Sequence, residues 1–175
     1  MNLPTGATPV DLAESRTSET SRLYLEGIVA GVIGAATVAI WFLILDTIQG
    51  RPLYTPTVLG TAFFKQGAGL AAPGHLPVSF ETTLVYTWVH GLVFCVIGGV
   101  AARLLAAAER NPDLGFGIVL LAVVFAVGFL VVVMLFAEAV LQRLAWQSIL
   151  IGNGLAAAAM GAYFWRRHPN LTIRP

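Results

Sequence analysis

Four stretches of this chain run almost without charge for about twenty residues or more, and the polar residues gather between them. The stretches fall at about 24–45, 83–107, 114–139 and 145–165. A bilayer core about 30 Å thick is crossed by roughly 20 apolar residues in a helix. Lipid offers no partner for backbone N–H and C=O groups, so each stretch must satisfy its own hydrogen bonds as a helix. The pattern therefore predicts an all-α fold: a four-helix transmembrane bundle spanning residues 23–165. No ten-residue alternation suggests a barrel. Local chemistry supports the ends. Ser79 is a plausible N-cap for the second span, with Glu81 in its first turn. Asn111-Pro112-Asp113 reads as a cap, a first-turn proline and a helpful carboxylate before the third. The turn between spans three and four is expected near 141–145, without Gly or Pro to mark it.

The segments outside the spans differ in character. Residues 1–22 are rich in Ser, Thr, Pro and Glu and are expected to be a disordered tail. The first span is too long for a signal peptide, and no small-residue cleavage site follows Leu45, so it reads as a retained anchor. Residues 46–82 form the one sizeable loop. Within it, Thr55-Pro56 reads as a cap and first helical residue. Val58, Leu59, Ala62 and Phe63 would line one side of a short interfacial helix ending at Gly67. A Gly/Pro-rich stretch then returns the chain to the membrane, and the loop is long enough to serve as a lid or partner surface. Residues 166–175 form a second short tail.

Composition agrees with this reading. Hydrophobic residues make up 57% of the 175 and charged residues 11%, with mean hydropathy +0.80. A soluble domain of this size, which usually carries about 25% charged residues, could not hide so much apolar surface. The net charge of +1 leaves no basic footprint for nucleic acid. One cysteine, Cys95, rules out an intrachain disulfide. The distribution of cations sets orientation. Arg16, Arg22, Arg103, Arg110, Arg166, Arg167 and Arg174 share one side, against Arg51, Lys65 and Arg143 on the other. The bias places both termini in the cytoplasm. Trp41, Trp88 and Trp146 would mark the outer interface, and Tyr24, Tyr163 and Trp165 the inner one.

One block has a counterpart elsewhere. Gly27-x-x-x-Gly31, Trp41-Phe42-Leu43, Asp46, Gly50-Arg51-Pro52-Leu53, Thr55-Pro56 and Leu59-Gly60 cover about a fifth of the chain. The block resembles one found in a family of uncharacterised small bacterial four-span membrane proteins. The resemblance implies a multi-pass protein of the bacterial inner membrane and brings no activity with it.

Small residues recur every fourth position, and in lipid such stripes supply much of the helix packing. The expected stripes are Gly27, Gly31, Ala35 and Ala39 on the first span, Gly91, Cys95 and Gly99 on the second, and Gly154, Ala158 and Ala162 on the fourth. They would hold the bundle together or dock a partner subunit or second copy. The third span, bulkier from Val123 to Phe136, would face lipid or a hydrophobic partner.

An ionisable group deep in a span is a candidate functional site. His90 lies about 10 Å below the outer end of the second span, and Asn153 lies at similar depth in the fourth. With Tyr86, Thr83, Asp46 and Glu138, they could form a polar cluster in the outer leaflet. Imidazole there could contact a quinone, haem or pigment, relay a proton, or simply bond a neighbouring helix. Glu26 and Arg103 could pair near the inner edge or snorkel separately to the headgroups. No catalytic motif stands out, no metal site is indicated, and no cofactor can be named. The leading expectation is a non-catalytic accessory or scaffold subunit that packs against other membrane helices or against itself. A redox-linked subunit using His90, a small oligomeric transporter or channel, and a membrane enzyme are the alternatives.

Overall fold

The structure is a computed structural model that describes residues 9–65, 76–110 and 146–168. Among them are four helices: α1 (Pro9–Ile48), α2 (Tyr54–Phe64), α3 (Phe80–Arg110) and α4 (Trp146–Arg167). Among the described residues, three stretches are long and apolar enough to cross a membrane, namely Thr20–Ile48 in α1, all of α3 and all of α4. The third expected span, at about 114–139, lies outside the described residues. So do Glu138, the loop stretch from Gly67 to His75 and the last seven residues.

α1 begins at Pro9, well before the expected span. Much of the segment expected to be disordered is thus continuous with the first crossing. Pro9 suits a first helical turn, where its missing N–H is not needed. Helix propagation from the long apolar segment adds one bond per residue without a new nucleation cost. α1 stops in a Schellman motif. Arg51 N–H donates to the Asp46 carbonyl (2.8 Å) and Gly50 N–H to the Thr47 carbonyl (3.0 Å). Gly50 takes the positive φ of 69° that this closure requires. Pro52 then prevents continuation. α3 starts where expected: Thr82 N–H donates to Ser79 Oγ (3.2 Å), the Thr82 hydroxyl donates to it as well (2.9 Å), and Glu81 occupies the first turn.

α1 is the central post. It packs along both α3 and α4, which meet each other mainly where Met160 and Phe164 approach Ala102. A β-carbon on Gly27 would lie 2.5 Å from Gly99 Cα, and one on Gly31 would lie 2.6 Å from Cys95 Cα. Advancing four residues along α1 thus retreats four along α3, so the two are antiparallel. α4 is also antiparallel to α1. Gly34 abuts Met160, Val38 and Phe42 cluster with Ala156, and Trp41 Nε1–H donates to the Ser148 carbonyl (2.9 Å). α3 and α4 therefore run the same way. The last turn of α3 and the first turn of α4 thus lie at opposite ends of the bundle.

The seams use small residues, though not every expected one. On α3, Gly98 lies against the Gly27 carbonyl and Gly31 N, while Gly91 and Gly99 have open space where a side chain would stand. On α4 the buried stripe is Gly152, Ala156, Met160 and Phe164. The expected Gly154, Ala158 and Ala162 are exposed among the described residues. Two positions along a helix rotate the face by about 200°, which puts the expected stripe on the far side. The reason is complementarity: Met160 and Phe164 fill the space over Ala30, Gly34 and Ala102, where small residues on both helices would leave a gap.

Candidate functional site

Two knots of polar residues lie at opposite ends of the bundle, and His90 lies between them.

The first knot grows from Asp46, which is only 3% exposed. Beyond the Schellman turn, Leu53 adopts φ 66°, a left-handed conformation that L-residues occupy at a cost of about 1–2 kcal/mol. The reversal brings the start of α2 back onto Asp46. Thr55 N–H donates to Asp46 Oδ2 and the Thr55 hydroxyl to Oδ1, each at 2.7 Å. Asp46 thus caps α2 from the preceding helix, and Thr55 lies inside the helix rather than capping it. Arg51 completes the corner with its guanidinium 4.3 Å from the centre of the Tyr54 ring.

α2 then rests on α3 through threonines. Thr57 donates its hydroxyl to the Leu53 carbonyl (2.8 Å), so its lone pairs receive the Thr83 hydroxyl at 3.1 Å. Thr55, Thr57, Val58, Gly60 and Thr61 are buried. Of the expected apolar face, Val58 is buried with Leu59 and Ala62 packed beside it, the threonines share the contact, and Phe63 is 70% exposed. The helix ends at Phe64, short of Gly67. Replacing Thr83 by valine keeps the shape and deletes one interhelical hydroxyl bond. Such bonds average about 0.6 kcal/mol in membrane proteins. The expected result is a small fall in the thermal midpoint measured in detergent, with the helical spectrum unchanged.

The second knot joins the other ends of the spans. His168, just past α4, places Nε2 2.9 Å from Glu26 Oε1 on α1 and Nδ1 2.7 Å from Glu109 Oε1 on α3. Arg103 bonds the Tyr24 hydroxyl, with its guanidinium 4.8 Å from that ring's centre. Glu26 and Arg103 therefore share an end of the bundle, as the sequence suggests, but each has a different partner. The ring at position 24 suits the planar guanidinium on its long stem. Glu26 instead meets the imidazole that closes the chain back over α1.

Among the described residues the expected outer-leaflet cluster divides: Asp46 and Thr83 join the first knot, Tyr86 stays with His90, and Asn153 meets neither. Asp46 is committed to Thr55. His90 interacts with the backbone carbonyl of Ala35 on α1 and lies between the rings of Tyr86 (5.7 Å) and Phe94 (4.8 Å) on its own helix. Asn153 is on an exposed face of α4. Among the described residues, no group of three His, Cys, Asp or Glu is arranged to hold a metal ion. In the His168 knot the two carboxylates sit on opposite edges of the ring and do not converge.

Sequence reasoning missed Thr55, Thr57, Glu109 and His168 as parts of these knots. Thr57 looks like one polar residue in a loop, and His168 like one more tail residue. A signal was present for Glu109, a carboxylate one position from the end of a long, mostly apolar helix.

No protein-family model matches the chain, and neither a curated protein nor a solved structure was found to be similar to it.

Proposed function

We propose that this chain is a four-span protein of the bacterial inner membrane, with both termini in the cytoplasm, acting as a non-catalytic accessory or scaffold subunit. The observation that carries the reading is the use made of its buried polar groups. Asp46, Thr55, Thr57 and Thr83 tie helix to helix, and His90 reaches the α1 backbone. Meanwhile Leu25, Val32, Ile40, Leu92, Val96 and Leu155 turn outward from the three long helices. Such a surface suits lipid or the helices of another subunit. The fourth crossing is supported by the parallel run of α3 and α4, which requires the chain between them to change sides. α2 lies at the outer interface in this arrangement.

Two measurements test the proposal. Purification in mild detergent or native nanodiscs should recover the chain with other membrane subunits or as several copies, and a lone monomer would overturn the scaffold reading. Single cysteines at positions 22 and 147, in a Cys95→Ala background, should label from opposite faces of the membrane. Labelling from one face would remove the fourth crossing. The aromatic flanks of His90 favour a redox-linked subunit as the second reading, with a quinone, haem or pigment beside the ring. An absorbance band above about 350 nm in the purified protein would support haem or pigment.

A further inference from the structure

His168 has carboxylate oxygens at both ring nitrogens. A neutral imidazole offers one N–H and one lone pair. With both glutamates ionised, that lone pair would face an oxygen at 2.7 or 2.9 Å. The geometry is satisfied when the cluster holds one more proton, carried by the ring as imidazolium or shared with a carboxylate.

The three groups also come from three different helical elements. Glu26 belongs to α1 and Glu109 to the last turn of α3. His168 is tied to α4 because its N–H donates to the Phe164 carbonyl at 2.9 Å. Phe164 is itself buried against Ala30 and Ala102. The bond from His168 to Glu109 joins the ends of α3 and α4 directly.

We propose that Glu26, Glu109 and His168 form a proton-binding clamp: the bound proton ties the ends of α1, α3 and α4 together, and its loss frees the end of α4. The groups facing the imidazole are Glu26 from α1 and Glu109 from α3. The neighbouring cations on these elements are Arg22 and Arg103, Arg110, and Arg166 and Arg167. Of these, Arg103 is engaged with Tyr24, and Arg167 stacks at 5.7 Å over Tyr163. Burial works to lower the affinity of His168 for its proton. The hydrogen bond to Glu109 and the charge of Glu26 outweigh it, and the net direction is upward from the ordinary imidazole value. The sign follows by linkage. The clamp contributes fully below the unfolded-state value of about 6.5 and is lost as pH rises through the folded-state value.

The test uses the full chain in detergent micelles, where both ends see the same pH. Spin labels at Ser21 and Arg166, in a Cys95→Ala background, report the distance between α1 and α4. Nitrogen NMR of labelled histidines, assigned with His168→Gln, reports the titration. The distance distribution should be narrow below the His168 midpoint and broad above it. Glu109→Gln should lower the midpoint, and His168→Gln should be broad at every pH. His168→Lys, which keeps a cation, should stay narrow across the range. The clamp is overturned by a distribution that does not change across the midpoint. A His168→Lys protein that broadens with pH as the parent does would overturn it too, since another group would then be titrating.

Discussion

Replacing Gly98 by alanine is expected to unfold the α1–α3 seam, although the same change in an isolated helix is favourable. Alanine gains about 1 kcal/mol over glycine in helix propensity. At position 98, however, the added β-carbon would fall on the Gly27 carbonyl oxygen and 2.7 Å from Gly31 N. Both are backbone atoms, which cannot rotate away as a side chain would, so the helices must move apart. Overpacking costs about 1–3 kcal/mol where neighbours can adjust, and here they adjust least. The separation would also loosen Gly27 from Gly99 and Gly31 from Cys95 along the same face. Gly161→Ala is the control, on an exposed face of α4 with open space around it. Thermal unfolding in mild detergent should show a clear loss for Gly98→Ala and none for Gly161→Ala. Equal midpoints would mean that the close approach of α1 and α3 does not hold the fold.

Asp46→Ala should release α2 from the bundle. The carboxylate accepts two buried bonds from Thr55, and hydrogen bonds to charged groups are worth about 1.5–3 kcal/mol each. Their joint loss is on the order of 3 kcal/mol and leaves the Thr55 N–H without its acceptor. It also removes what holds Leu53 in its left-handed conformation, so local strain would be relieved by opening. Asp46→Asn should cost less, because the amide oxygen still accepts one bond and the amide nitrogen can donate to the Thr55 hydroxyl. Hydrogen exchange read by mass spectrometry should show residues 54–64 losing protection strongly in Asp46→Ala and partly in Asp46→Asn, while α4 is unaffected. Unchanged protection in the alanine variant would mean that α2 is held by its threonine face alone.

Where the sequence was readable, the cause was local. Ser79 caps α3 because a serine, a carboxylate and the start of an apolar run fall within three residues, and no distant neighbour is needed to interpret them. The extents of α3 and α4 follow from apolar length for the same reason. The identity of the packed face on α4 was not readable. Gly154-Ala158-Ala162 and Gly152-Ala156 are equally regular as patterns. Only the fit of Met160 and Phe164 against Ala30, Gly34 and Ala102 decides between them, and that fit depends on α1 and α3. The corner after α1 was half legible. Gly50-Arg51-Pro52 announces a stop, but the cap for α2 comes from nine residues back, across a reversal no local rule describes. The meeting of His90 with Asn153 was misread for a related reason. Equal depth in the bilayer does not put two residues on facing sides, and His90 turns to the α1 backbone while Asn153 turns away. His168 escaped because a tail residue becomes structural only when three helix ends meet beside it.

The central position of α1 has a consequence for the order of assembly during synthesis. Its Gly27–Gly31 face can be matched once residue 110 has left the ribosome, since α3 is then complete. Its Val38–Phe42 face must wait for α4, which is made after α3. A nascent chain therefore passes through a stage in which half of α1 is docked and half still borders lipid or a chaperone. Cross-linking stalled chains of increasing length would time the two dockings, and simultaneous appearance of both would refute this sequence of events.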